Sequence, residues 1–109
     1  MPVTNIAPAA LSAWLRDPAR NPPVLLDVRE PWEYQTARLE NSKHIPLGEI
    51  PSRFGEIDAA VDVVVICHHG GRSMQAAMFL EKQGYAGVRN LAGGIDAWAR
   101  QVDPAIPVY

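Results

Sequence analysis

One short stretch of the chain constrains the fold more than any other. Residues 61–66 read VDVVVI, and five of these six residues are β-branched. β-branched side chains favour strands, and a short, continuous apolar run is typical of a strand that is buried on both faces of a parallel sheet. Residues 24–28, VLLDV, form a second run of this kind. The sequence therefore predicts a sheet that is covered by helices on both sides.

Helical patterns and turn residues lie between and beyond these runs. We expect helices over 8–17, 31–38, 48–56, 72–83 and 95–101, and further extended segments over 43–47 and 88–91. Gly84 is expected to cap the C-terminus of the fourth helix. Residues 103–109 are expected to be extended and to pack across the surface of the domain. The larger aromatic side chains are expected to pack in the core or half-buried: Trp14, Trp32, Tyr34 and Trp98. The alternation of strands and helices predicts one domain over residues 1–109, with its ligand site beyond the carboxyl ends of the strands.

Composition excludes several functional classes. The 109 residues carry 10 basic and 12 acidic side chains, a formal charge of −2, which argues against nucleic acid or an anionic membrane as the main partner. The sequence has no apolar run of the roughly 20 residues that span a bilayer, and its first residues lack the pattern of a signal peptide. The single cysteine, Cys67, excludes an internal disulfide and a multi-cysteine metal site. We therefore expect a soluble, cytoplasmic domain with neither a nucleic acid nor a membrane partner.

Candidate functional residues follow two of the predicted strands. Asp27 and Arg29 come at the end of the first, and Cys67 comes at the end of the second. A lone cysteine in such a domain is commonly a small buried hydrophobe. The position of Cys67 between a buried strand and a glycine-bearing loop that opens a helix favours a nucleophile instead.

The predicted loop after Cys67 has the features that stabilise a thiolate. A strand–loop–helix turn directs several backbone N–H groups into one small space and places the positive end of the helix dipole behind them. Gly70 and Gly71 permit the positive φ angles that a tight cradle needs. Arg72 adds a fixed positive charge, and Ser73 can cap the helix or donate a hydrogen bond. We expect Cys67 to be a reactive and partly exposed thiolate.

Four segments of the chain carry a resemblance to a known family. Residues 67–73, CHHGGRS, resemble the active-site loop of the rhodanese family of sulfurtransferases. Residues 27–34 (DVREPWEY), 44–47 (HIPL) and 91–98 (LAGGIDAW) resemble three further segments of that family, in the same order. One segment departs from it: residues 37–42 (ARLENS) stand where many members have G-H-I-P-G-A, so both glycines, the histidine and the proline are absent.

The resemblance implies a fold and a reaction. The fold would be a three-layer α/β rhodanese-like domain with a central, mainly parallel five-stranded sheet. The activity would be that of a thiosulfate sulfurtransferase, in which Cys67 takes the outer sulfur of thiosulfate or a similar donor and forms a persulfide. A small acceptor then removes the sulfur: cyanide in the assay, and a biological thiol or a protein sulfur carrier in the cell. No metal or organic cofactor is implied.

The predicted site residues have alternative readings that the sequence leaves open. Cys67 is the predicted catalytic residue, and Asp27 is predicted to be structural support. The predicted substrate-binding residues are His68, His69, Gly70, Gly71, Arg72, Ser73 and Arg29. Arg29 could equally form a surface or helix-end ion pair with Glu33, and the two histidines could line the pocket mouth or simply face solvent. We do not expect a metal, because three adjacent residues, Cys67 to His69, cannot easily direct their side chains at one ion.

Two other functions are compatible with a cysteine at this position of the fold. Cysteine phosphatases that share this fold use a C-x5-R loop, whereas four residues separate Cys67 from Arg72 here, and Ser73 stands where their arginine would fall. A shorter ring of N–H groups should suit a sulfur atom better than a tetrahedral phosphate. The second rival is a non-enzymatic rhodanese-like module for regulation or docking. Such modules have commonly lost the cysteine, so the presence of Cys67 argues against that function.

Overall fold

Five parallel strands form the middle layer of the structure, a computed structural model that describes residues 3–109. The strands are β1 (Thr4–Ile6), β2 (Val24–Asp27), β3 (Lys43–His44), β4 (Val63–Ile66) and β5 (Val88–Leu91). They lie in the order β1-β5-β4-β2-β3, and every described pairing is parallel. The predicted three-layer fold with a five-stranded sheet is confirmed. Met1 and Pro2, which the predicted domain includes, lie outside the described residues.

Helices cover both faces of this sheet. They are α1 (Pro8–Arg16), α2 (Pro31–Thr36), α3 (Ile50–Arg53), α4 (Gly71–Lys82) and α5 (Gly94–Gln101). The helix predicted over 48–56 is divided, because 3-10 turns at Leu47–Glu49 and Phe54–Glu56 flank the single turn of α3. Within residues 3–109, none of the helices has the length and hydropathy that crossing a bilayer requires.

The central strand β4 shows why the sheet needs two covering layers. Val63 and Val65 face a core that α3 and α4 cover, while Val64 and Ile66 face a second core that α1 and α5 cover. All four side chains are completely buried. Since successive side chains of a strand point to opposite faces, an unbroken apolar run contributes side chains to both cores. β4 begins at Val63 and not at Val61, whose side chain is exposed.

Three features of the fold differ from the sequence predictions. The pattern did not predict β1, because two of its three residues are exposed and the strand exists through its pairing with β5. Trp32 was predicted to be at least half-buried, which is wrong: its side chain is 61% exposed on α2. The segment after α5 does pack on the body through Ile106 and Tyr109, but it turns at Asp103 and is not extended throughout.

The segment over residues 37–42, which departs from the family pattern, has one residue with a left-handed backbone. Asn41 adopts a φ of +63° at the position of the second expected glycine, and asparagine is among the residues that tolerate this left-handed conformation. Ala37 and Leu39 are buried in the core next to α1 and α5. The Arg38 guanidinium lies over the ring of Tyr34, 5.0 Å from its centroid.

Candidate active site

The loop that follows β4 begins at Cys67 and ends where α4 starts. Gly70 has a φ of +111°, a conformation that L side chains rarely adopt, so the turn into α4 requires glycine there. The same expectation for Gly71 is wrong. Gly71 has no positive φ and is the first residue of α4, so the helix begins one residue earlier than predicted.

Two hydrogen-bond donors converge on the sulfur of Cys67. The backbone N–H of Gly70 lies 3.0 Å from Sγ, and the Ser73 hydroxyl oxygen lies 3.2 Å from it. Ser73 is in the first turn of α4 and completely buried, and the N-cap of that helix is Gly70. Of the two roles predicted for Ser73, donating and capping, the capping role is therefore wrong.

Cys67 itself is more enclosed than expected. Its side chain is 1% exposed, so the predicted partial exposure is wrong. The reason is that β4 is a central strand with both faces covered, and Sγ points inward to the Gly70 N–H and Ser73. The hydrogen-bond donors that a thiolate needs are therefore present around a sulfur atom that is shielded from solvent.

Ser73 connects the sulfur to a buried amide that the sequence reasoning missed. Its hydroxyl oxygen also lies at a short hydrogen-bond distance from Asn90 Oδ1, so the single hydroxyl hydrogen is donated either to the sulfur or to that oxygen. The Asn90 amide nitrogen donates to Gly70 O at 3.2 Å and to Asn5 Oδ1 at 3.0 Å. Asn90 lies on β5 and is 4% exposed. An asparagine between Arg89 and Leu91 of the predicted strand was the available signal, because buried amides are retained where they have hydrogen-bond partners.

The start of α5 holds the backbone of the Cys67 loop. The N–H groups of Ile95 and Asp96 donate to the carbonyl oxygens of Cys67 and His68, at 2.8 Å and 3.1 Å. A Cβ at Gly94 would overlap both of those carbonyl oxygens. Gly94 therefore allows the close approach of α5 to the Cys67 loop.

Arg72 pairs with a carboxylate from α2 across the loop. Its Nη1 and Nη2 atoms lie 2.6 Å and 2.9 Å from Glu33 Oε1 and Oε2, a bidentate ion pair. The hydrogen bonds from Arg72 lower the pKa of Glu33 to about 2, against the opposing effect of burial. The charge of Arg72 is thus fixed beside the loop. Glu33, which is 3% exposed, was not among the predicted site residues.

Asp27 and Arg29 form a closed ion pair at the end of β2. Both are completely buried, and the Arg29 guanidinium donates to both carboxylate oxygens of Asp27, with a shortest distance of 2.7 Å. Its other bonds go to the carbonyl oxygens of Glu33 and Ala37 and to the Tyr109 hydroxyl. Burial lowers the pKa of Arg29, but the bonds to Asp27 and Tyr109 outweigh it and leave that pKa raised.

This geometry bears on the two roles considered for Arg29. The alternative of a surface or helix-end ion pair with Glu33 is wrong, because Arg29 is buried and meets the backbone carbonyl of Glu33. Direct binding of a substrate by Arg29 stays a prediction, although Nε, Nη1 and Nη2 all have protein acceptors. The position of Asp27 against the Arg29 backbone and side chain is what a supporting residue needs.

The two histidines after Cys67 differ in their surroundings. His68 is half-buried and His69 is exposed, and their ring centroids are 3.9 Å apart. Among residues 3–109, one group has the composition and proximity to hold a metal ion: His68, His69 and Asp96, whose ligand atoms lie within 4.8 Å of one another. Cys67 is not part of this group. The expectation that no metal binds stays a prediction.

The aromatic ring of Tyr109 completes the surroundings of the loop. It stacks on His68, with ring centroids 4.1 Å apart and planes inclined by 8°, and its hydroxyl donates to Glu33 Oε2 at 2.8 Å. Burial and the Glu33 bond raise the pKa of Tyr109 to about 12, although Arg29 opposes this. Tyr109 was not predicted as a site residue, because its separation from Cys67 along the chain gives no signal.

The fold and this cysteine-centred cradle define a class of protein, and comparison with known proteins gives the family. Residues 10–101 match the rhodanese-like domain, and the chain belongs to that family. It is similar to a protein of Allochromatium vinosum named sulfurtransferase, 42% identical over 76% of this chain and 78% of that protein. It is also similar to the chloroplastic rhodanese-like/PpiC domain-containing protein 12 of Arabidopsis thaliana, 39% identical over 99% of this chain.

A solved structure has the same fold as this chain, and some of the relatives are much longer than this chain. The crystal structure of a rhodanese-related protein from Thermoplasma volcanium has a TM-score of 0.83 and 29% identity, and covers 97% of this chain and 99% of that one. The chain spans only 38% of the length of the Arabidopsis protein. The domain therefore occurs both nearly alone and inside longer proteins.

Proposed function

We propose that the chain is a sulfurtransferase that moves sulfane sulfur from thiosulfate, or a similar donor, to a thiophilic acceptor through a persulfide on Cys67. The observation that carries this proposal is the convergence of the Gly70 N–H and the Ser73 hydroxyl on Cys67 Sγ, at 3.0 Å and 3.2 Å. Membership of the rhodanese-like family and the similarity to a protein named sulfurtransferase support transferase chemistry.

The first half-reaction forms the persulfide. The Cys67 thiolate attacks the outer sulfur of thiosulfate, a new S–S bond forms, and the bond to the sulfonate breaks with its electron pair leaving on sulfite. The product anion is centred on the terminal sulfur. Hydrogen-bond donors fixed in a dry site stabilise such an anion without reorganisation, and the paired cation of Arg72 lies beside the loop.

The second half-reaction returns the enzyme to its starting state. An acceptor nucleophile attacks the terminal sulfur, takes it as thiocyanate or as a new persulfide, and leaves the Cys67 thiolate. We propose cyanide as the assay acceptor and a small thiol or a protein sulfur carrier as the cellular one. His68, His69, Gly70, Gly71, Arg72 and Ser73 form the loop that would receive these substrates, and the step needs no cofactor. The expected cytoplasmic location stays a prediction, which cell fractionation would test.

Loop size separates this function from phosphate chemistry. Four residues lie between Cys67 and Arg72, and both terminal nitrogens of Arg72 bond to Glu33. A phosphatase needs a wider ring of N–H groups and a guanidinium that grips the phosphate oxygens. We therefore expect essentially no hydrolysis of aryl phosphates.

A paired assay tests the proposal. Wild-type protein should form thiocyanate from thiosulfate and cyanide, and Cys67→Ala and Cys67→Ser should abolish that activity while Ser52→Ala, an exposed substitution, leaves it intact. The same preparations are given an aryl phosphate. Phosphatase activity that disappears in Cys67→Ser would overturn the sulfurtransferase proposal in favour of the phosphatase. A protein that is folded but inert in both assays, with several sulfane-sulfur donors, would favour a docking or regulatory module.

A further inference from the structure

Tyr109 touches both sides of the active-site loop. Its ring stacks face to face on His68, the residue after Cys67, and His69 lies against the His68 ring with centroids 3.9 Å apart. Its hydroxyl accepts a hydrogen bond from Arg29 Nη1 and donates one to Glu33 Oε2, each at 2.8 Å. Glu33 also holds Arg72, so one tyrosine is connected to the loop at His68 and at Arg72.

These contacts bear on the enclosure of Cys67. The sulfur-bearing side chain is 1% exposed, and the Nε2 atom of His68 is buried without a hydrogen-bond partner. The His68 backbone is held by the Asp96 N–H, but its ring is in contact with the rings of Tyr109 and His69 without a described hydrogen bond at Nε2. Since no described hydrogen bond fixes that Nε2 atom, removing the Tyr109 ring would release the His68 side chain and loosen one end of the loop whose Gly70 N–H bonds to the Cys67 sulfur.

We propose that Tyr109 is a positioning residue that sets access to Cys67 by holding the Cys67 loop at His68 and, through Glu33, at Arg72, and that it thereby selects small sulfur donors and acceptors over bulky ones. The selection follows from the enclosure, because a larger reactant needs a larger displacement of the loop that Tyr109 holds before it reaches Sγ. The consequence for acceptor choice rests on the proposed sulfur transfer. The consequence for access to the thiol does not.

The two roles of Tyr109 are separable by substitution. Tyr109→Phe keeps a ring for His68 and removes the hydroxyl. Arg29 Nη1 then still bonds to the Glu33 carbonyl, and Glu33 Oε2 still bonds to Arg72, so no buried charge loses its last partner. Tyr109→Ala removes the ring as well. Val108→Ala is a matched control in the same segment, because Val108 is 49% exposed.

The experiment measures how fast Cys67 is alkylated in the native protein by iodoacetamide and by a bulky maleimide-linked fluorophore. Tyr109→Ala should raise the rate with the bulky reagent on the order of tenfold, and the rate with iodoacetamide by less, because it removes both the stacking and the hydroxyl bonds. Tyr109→Phe should fall between wild type and Tyr109→Ala. Val108→Ala should match wild type. The free energy of unfolding of each variant is measured alongside, and Tyr109→Phe decides the question if Tyr109→Ala does not fold.

Sulfur transfer provides the second readout. The ratio of kcat/KM for glutathione to kcat/KM for cyanide should rise in Tyr109→Ala, whereas a residue that only stabilises the fold would leave that ratio unchanged. Wild-type alkylation rates with the bulky reagent in both Tyr109 variants would overturn the proposal. If the alkylation rates change as expected but no variant transfers sulfur, access control by Tyr109 stands and the proposed function fails.

Discussion

The ends of β2 and β4 lie side by side in the sheet and look alike in the sequence, yet they differ in what their polar groups face. At the end of β2, Asp27 and Arg29 are completely buried and bond to each other and to surrounding protein atoms. At the end of β4, the Gly70 N–H and the Ser73 hydroxyl point at one sulfur atom, that of Cys67. In the first arrangement the polar groups bond to one another, and in the second they are directed at the sulfur of a free cysteine.

This difference distinguishes residues that stabilise the fold from residues that could take part in a reaction at the carboxyl edge of a parallel sheet. A buried charge pair that uses its own hydrogen-bonding capacity has little left for a ligand, and removing one partner leaves an uncompensated charge. Donors that converge on a nucleophile stabilise its anionic form. They can also stabilise the negative charge when it lies on the terminal sulfur of a persulfide. Substitutions in the first region are therefore expected to lower stability, and substitutions in the second to slow sulfur transfer.

The largest effect is expected on folding, at the end of β2. Asp27→Ala leaves the Arg29 guanidinium buried without its carboxylate and should lower the free energy of unfolding by about 3–5 kcal/mol. Asp62→Ala is the matched control, because Asp62 pairs with Arg89 at the surface with its side chain 49% exposed, and it should change stability by less than about 1 kcal/mol. Urea denaturation measures both. Equal losses in the two variants would show that the buried pair is not the support assigned to it.

The next effect is expected on catalysis, at Arg72. Arg72→Ala removes the cation beside the loop and should slow sulfur transfer on the order of ten- to a thousandfold, a loss of roughly 1.4–4 kcal/mol in barrier terms. Arg72→Lys should recover only part of the rate, since a point charge cannot reproduce the planar fork that Glu33 binds. Arg100→Ala, which removes an exposed arginine of α5, is the control. Wild-type kinetics in Arg72→Ala would mean that its ion pair serves only the fold.

A pH series tests the ion pair between the two regions. The pKa of Glu33 is lowered to about 2 from an ordinary 4.5, so its ionisation stabilises the folded state fully above pH 4.5 and that contribution is lost as the pH falls towards 2. The stability difference between wild type and Glu33→Gln should therefore shrink over that range. Glu56→Gln is the control: the pKa of Glu56 is also about 2, but its pairs are exposed and its effect should be smaller and weaken in salt. A pH-independent difference for Glu33→Gln would contradict the assignment.

The smallest effect is expected at Ser73. Ser73→Ala removes one of the two donors to the sulfur and keeps the Gly70 N–H, so persulfide formation should slow by about three- to tenfold. Stopped-flow measurement of the thiosulfate half-reaction reports this step without the acceptor. A loss as large as that of Cys67→Ala would indicate that the hydroxyl does more than stabilise the anion.

The strands and the cysteine loop could be predicted because their signals are local. The β-branched run and the residues after it are read from consecutive positions. The structure places the run in the sheet, although β4 begins only at Val63, and it places Cys67 between that strand and a helix, although α4 already begins at Gly71. β1 could not be predicted, because a three-residue strand with two exposed side chains depends on its neighbour β5.

The residues that complete the site could not be predicted for a different reason. Glu33, Asn90 and Tyr109 reach the loop from α2, β5 and the segment after α5, so their roles depend on contacts across the whole chain. The enclosure of Cys67 was also hidden, because the same loop sequence is compatible with a sulfur that faces solvent. The burial of Arg29 follows from acceptors at Asp27 and Ala37 that only the folded backbone brings together.

The most direct test of the central claim is the intact mass of the native protein after brief incubation with thiosulfate. The account predicts a gain of one sulfur atom on Cys67, loss of that sulfur on adding cyanide, and no gain after prior alkylation or in Cys67→Ala. A mass that stays unchanged with thiosulfate and with other sulfane-sulfur donors, in a folded protein whose cysteine also resists iodoacetamide, would contradict it.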